Sequence, residues 1–167
     1  MGRNIVSNDV NPLSIILTKS RLNIPTIDEI EGRLDEIEFQ STEADIDLSM
    51  FFHKRTESEI VSLKKELLDT DVDNWIRMVS TNRLTGHSAG FFSGYTLPPN
   101  QAASQKSQMI INDRLDIVPP YKNTKEIILK KSRSLLRNIN SKLRNELKAI
   151  GSNSIFSSLD SRKTSHI

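Results

Sequence analysis

The chain has 167 residues, of which 36% are hydrophobic, 5% aromatic and 26% charged, and its net charge is +2. It has no cysteine, which excludes a disulfide framework, cysteine-ligated zinc and cysteine catalysis, and fits a reducing compartment. No apolar run approaches the roughly 20 residues of a membrane helix, and the N-terminus lacks the apolar stretch of a secretory signal.

Apolar content below the roughly 45–50% of an ordinary globular domain points to a thin core. The expected fold class is all-α: an elongated bundle of coiled-coil-like helices, with a long C-terminal helix and flexible termini. Charge is unevenly distributed. Acids dominate between Thr26 and Trp75, whereas from Lys122 to Lys148 nine bases face only Glu126 and Glu146.

In chain order, residues 1–25 read as a flexible arm punctuated by Pro12 and Pro25. Arg3, Lys19 and Arg21 with interspersed apolar residues give it a trace of a mitochondrial presequence, which Asp9 and Pro12 interrupt. Residues 26–80 form an acidic helical region. Thr26 to Glu29 makes a capping box, and Ile27, Ile30, Leu34 and Ile37 follow at heptad-like spacing, continued weakly through Ser41, Ala44 and Leu48 to Phe51. Thr56 to Glu59 makes a second box before Ile60, Leu63 and Leu67. Val72, Trp75, Ile76 and Val79 then lie on one helical face, with Trp75 a core anchor or an interface hot spot.

Residues 81–122 break the pattern. Gly86, Gly90, Gly94 and Pro98-Pro99 make a loop that also carries Phe91, Phe92, Tyr95 and Leu97, either folded over the bundle or docked on a partner. A short helix from an Asn100 cap to Leu115 is preferred to a strand at Met109–Ile111, and Pro119-Pro120 ends it. Residues 123–151 are expected to be one long basic helix. Its stripe is Ile128, Leu135, Leu136, Ile139, Leu143, Leu147 and Ile150, with a gap near Ser132 and Gly151 as the C′ residue. Residues 152–167 read as a disordered tail.

Chemistry is sparse in this sequence. Gly86-His87-Ser88-Ala89-Gly90 matches the nucleophile elbow of serine hydrolases. The residues before it are polar rather than a buried strand, and the only later histidine is His166. His53, His87 and His166 have no metal-ligand spacing, and no phosphate-binding glycine loop occurs, so neither metal nor cofactor is expected. Acidic pairs such as Glu36 with Glu38 read as a solvated face. Ser165-His166-Ile167 has the form of a C-terminal strand-addition peptide.

These features lead to a non-enzymatic helical adaptor or scaffold, an intracellular subunit of a hetero-oligomer in the nucleus or cytoplasm. Its partner-binding residues would be Ile27, Ile30, Leu34, Ile37, Trp75, Leu136, Ile139, Leu143 and Leu147. The alternative is a nucleic-acid-associated protein with Lys130, Lys131, Arg133, Arg137 and Arg144 on phosphates. Against this stands the absence of aromatics from the basic helix. The basic helix could also pair with the acidic half of its own chain, and a serine hydrolase is the remote third class.

Overall fold

Prolines and small polar caps divide the chain into seven helices and two three-residue strands among the described residues. The computed structural model describes residues 5–96, 103–160 and 162. Pro98-Pro99, the Asn100 cap, His166 and the C-terminal tripeptide motif lie outside them.

The elements are β1 (Val6–Asn8), α1 (Leu13–Lys19), α2 (Ile27–Glu36), α3 (Lys54–Glu66), α4 (Asp71–Thr81), α5 (Gln105–Leu115), α6 (Thr124–Leu136), α7 (Ser141–Ser152) and β2 (Ile155–Ser157). Helix α6 packs against α2, α3 and α4, and α4 also packs against α1 and α2. Ile30, Leu34, Phe52, Leu63, Trp75, Ile76, Val79, Phe92 and Ile128 fill the core between them. The fold is mostly helical, as the composition suggests.

Thr26 caps α2 as its box predicts: Thr26 N–H donates to Glu29 Oε2 at 2.7 Å, and Glu29 N–H to Thr26 Oγ1 at 3.2 Å. The seam does not run on to Phe51, because α2 stops at Glu36 and Ile37 turns extended. Short polar residues between Ser41 and Ser49 compete with helix by bonding the backbone locally; Asp47, for instance, accepts from Ser49 N–H at 3.0 Å. Side chains of α3 take two further backbone amides, with Ser62 accepting from Gln40 N–H at 3.1 Å and Glu57 from Ala44 N–H at 2.9 Å.

The second box fails for a different reason. Helix α3 begins earlier, at Lys54, behind His53, whose Nδ1 accepts from Arg55 N–H at 3.2 Å. Thr56 and Glu59 are thereby freed for long-range bonds. Thr56 Oγ1 exchanges hydrogen bonds with the Lys122 backbone. The Glu59 carboxylate, 2% exposed, accepts from Thr124 N–H and Oγ1–H and from the Tyr121 hydroxyl at 2.7–3.0 Å. A carboxylate thus sits at the positive N-terminal end of α6.

The long C-terminal helix is two helices. Helix α6 ends at Leu136, and Asn140 starts α7 by accepting from Leu143 N–H at 2.8 Å. Asn138 and Asn140 are weak helix formers and Asn140 is a good N-cap. The gap at Ser132 is a contact: the fully buried Ser132 Oγ accepts from Trp75 Nε1–H at 3.0 Å. Gly151 lies inside α7 and is not a C′ residue. A Cβ there would come within 3.2 Å of Leu22 Cβ and 3.1 Å of Asn23 Oδ1, so the glycine lets α7 approach the α1–α2 connection.

Within the described residues both terminal segments carry secondary structure. The arm contains β1 and α1, and the tail contains β2. The strands pair in parallel, with Val6, Ser7 and Asn8 opposite Ile155, Phe156 and Ser157. The glycine loop folds onto the bundle: Phe92 is fully buried, and Phe92 N–H donates to Arg83 O at 2.8 Å.

Candidate partner-binding groove

The heptad-like seam is spent inside the chain. Ile30, Leu34 and Ile37 are buried, and Ile27 packs against the same core. Trp75 is 3% exposed. Leu136, Ile139 and Leu147 are half-buried against the core, and Leu143 is half-buried on α7. The Ile27, Ile30, Leu34 and Ile37 seam is therefore covered within the chain. The amphipathic pattern identified the buried face correctly but assigned its cover to another chain.

The basic residues divide between two flanks of α6. On one, Arg133 pairs with Glu31 of α2 at 3.4 Å. Nearby, Arg144 Nε–H donates to Ile24 O at 3.1 Å, and Arg144 and Lys148 lie close enough to Glu29 to favour its ionised form. Self-pairing thus accounts for part of the basic charge. Arg137 is exposed at the end of α6.

On the other flank, Lys130 and Lys131 line open grooves. One, of about 490 Å³, runs between the 83–90 turn and α6, with Arg83, Tyr121, Lys122, Glu126, Ile127, Lys130 and Lys131 in its wall. Another, of about 390 Å³, continues past Arg83 and Lys131 to Arg21, over Ile24, Trp75, Met78, Leu135 and Ile139. Five bases thus face one acid, Glu126, along the combined groove. Among the described residues none of the five is in an ion pair. Leu135 is 43% exposed on the floor.

Local structure holds these groups in place. The Arg83 guanidinium lies 4.3 Å from the Phe91 ring centre, a cation–π contact that orients it. Phe91 is in turn packed under Gly86, where a Cβ would come within 2.6 Å of the ring. Tyr121 is anchored by Glu59 and flanked by Arg55, 4.4 Å from its ring centre. Desolvation, then the hydrogen bond and the negative charge of Glu59, push the Tyr121 phenol up to about 12.

Sequence reasoning found Lys130 and Lys131 but missed Arg21, Arg83, Lys122 and Tyr121, which arrive from three connecting segments. Only Tyr121 and Lys122, next to the cap of α6, carried a local signal. Two acids of the acidic region are buried: Glu59, and Asp73, which accepts from Arg33 Nε–H at 2.8 Å and Leu68 N–H at 2.8 Å. Ser88 is exposed on a turn after α4, not on a strand-to-helix elbow. Among the described residues no cluster of three His, Asp or Glu could hold a metal, and no helix is long and apolar enough to cross a membrane.

Compared with known proteins, the chain matches no family model, no curated protein and no solved structure.

Proposed function

We propose that this chain is a non-enzymatic helical adaptor within an intracellular multiprotein assembly, and that its groove takes an acidic, apolar-bearing segment of a partner protein. One observation supports this above all. Arg21, Arg83, Lys122, Lys130 and Lys131 rim a partly apolar floor and have no ion-pair partner among the described residues. Cations beside the exposed Leu135 and the half-buried Ile127 and Ile139 suit carboxylates on one face of a segment and aliphatic side chains on the other. The floor contributes affinity and the rim selects the partner's charge.

The test is affinity capture with mass spectrometry, comparing the wild-type chain with Lys130→Glu/Lys131→Glu. The exposed or half-buried positions should change folding stability by no more than about 0.5 kcal/mol. Loss of specific co-purifying proteins supports the reading; an unchanged set overturns it.

Nucleic acid is the second reading, favoured by Tyr121 standing beside these cations. It requires binding that falls steeply as salt is raised. No binding to any oligonucleotide at low salt removes it.

A further inference from the structure

Helix α5 is inside out. Its buried side chains are polar, Gln108 and Asn112. Gln108 donates to Tyr95 O and Asn112 Oδ1, and Asn112 donates to Met50 O, all at 2.8 Å. On the outward face Met109 is 51% and Ile110 58% exposed. Helical periodicity puts Lys106, Met109, Ile110 and Asp113 on that one face, with Arg114 at its edge beside Ile110, and all five are exposed. Among the described residues neither Lys106 nor Asp113 has an ion-pair partner.

We propose that this face pairs with the same face of a second copy of the chain, helix against antiparallel helix, across a two-fold axis between Met109 and Ile110. The order of the four residues supports that occupant. A base stands at one end, an acid at the other and two apolar groups between them. Under this symmetry positions equidistant from the axis meet, so Lys106 lies against Asp113 of the second copy, and the axis repeats that pair. Met109 meets Ile110 at the centre. A partner of uniform charge would leave either Lys106 or Asp113 opposed by its own sign. Four side chains from each copy cover far less than the roughly 800 Å² per partner of a standard interface. The dimer is therefore weak and concentration-dependent. It is independent of the groove beside α6.

Sedimentation equilibrium of the full chain at low salt, up to about 1 mM, tests it. The wild type should show a reversible monomer–dimer equilibrium, and Ile110→Asp should remain monomeric. Lys106→Glu and Asp113→Lys should each weaken association by about 3-fold to 10-fold, because each reversal strikes two symmetry-related pairs. The double variant Lys106→Glu/Asp113→Lys should restore it. Register is read separately, because the chain has no cysteine of its own. Mixed Lys106→Cys and Asp113→Cys chains should form more disulfide dimer than either alone. A wild type that stays monomeric overturns the proposal. So does a dimer that survives Ile110→Asp, a charge swap that fails to restore association, or cross-linking no better in the mixture.

Discussion

Helices α4 and α5 are each 11 residues long, yet they present opposite kinds of side chain to the interior. Helix α4 buries Trp75, Ile76, Met78 and Val79 and tethers one carboxylate, Asp73, to Arg33. Helix α5 buries an amide pair and leaves Met109, Ile110 and Leu115 exposed. The difference follows from spacing. Residues 72, 75, 76 and 79 share a face that can be removed from water together, with a Trp75 N–H that finds Ser132. Residues 109, 110, 111 and 115 wrap around the helix, so no orientation buries them all. Gln108 and Asn112, one turn apart, instead satisfy carbonyls of the two segments on which α5 rests. Helix α4 is held by transfer of apolar surface and α5 by hydrogen bonds, which are worth less net but cost more when left unmade.

That contrast predicts a ranking. Trp75→Ala should be the most damaging, at about 3–5 kcal/mol by urea denaturation, since it leaves a cavity in the core and orphans Ser132. A cost below about 2 kcal/mol would mean that α4 is not the core helix. Gln108→Ala or Asn112→Ala should cost about 1–3 kcal/mol by leaving the Tyr95 or Met50 carbonyl unpaired. If neither exceeds about 0.5 kcal/mol, the amide pair is not what docks α5. Met109→Ser should change stability by no more than about 0.5 kcal/mol, as Met109 is already half exposed.

The N-termini give the smallest difference. Thr26→Ala removes half of a reciprocal box on α2, at about 1 kcal/mol, whereas Ser104→Ala on α5 removes a single cap. The α2 box also carries a pH signature. Hydrogen bonds from the Thr26 backbone and side chain, assisted by Arg144 and Lys148, hold the Glu29 carboxyl below its ordinary value of 4.5. The ionised form is thus favoured in the folded state. Its contribution is present above pH 4.5 and lost as pH falls through the lower folded value. Glu29→Gln should flatten that part of the acid limb in urea midpoints measured against pH; an unaltered limb would place the linkage elsewhere.

How much could be read in advance depended on whether a signal was local. The Thr26 cap, the face of α4 and the burial of Ile30 and Leu34 were legible because each is written in neighbours three or four positions apart. Periodicity states that a face is buried without stating what covers it, so a self-covered seam looked like an interface. Leu136, Ile139 and Leu143 stay in helical phase across the α6–α7 break, which hid the Asn140 cap. The roles of Glu59 and Ser132 and the positions of Arg21 and Arg83 rest on residues far apart in the chain, and no spacing rule reaches them.

The β1–β2 ladder spans the molecule in sequence. Ile5 N–H meets Ser154 Oγ across 149 positions, and Ile155 N–H donates to Ile5 O at 2.9 Å. Closing so long a loop costs more chain entropy than any helix pairing in this fold, and three residues on each side return few bonds for it. Three residues on each side should make the ladder open before the helical core does. Its amides, Ile155 N–H and Asp9 N–H, should trade deuterium by brief local fraying, while those in the middle of α4 wait for the whole molecule to unfold.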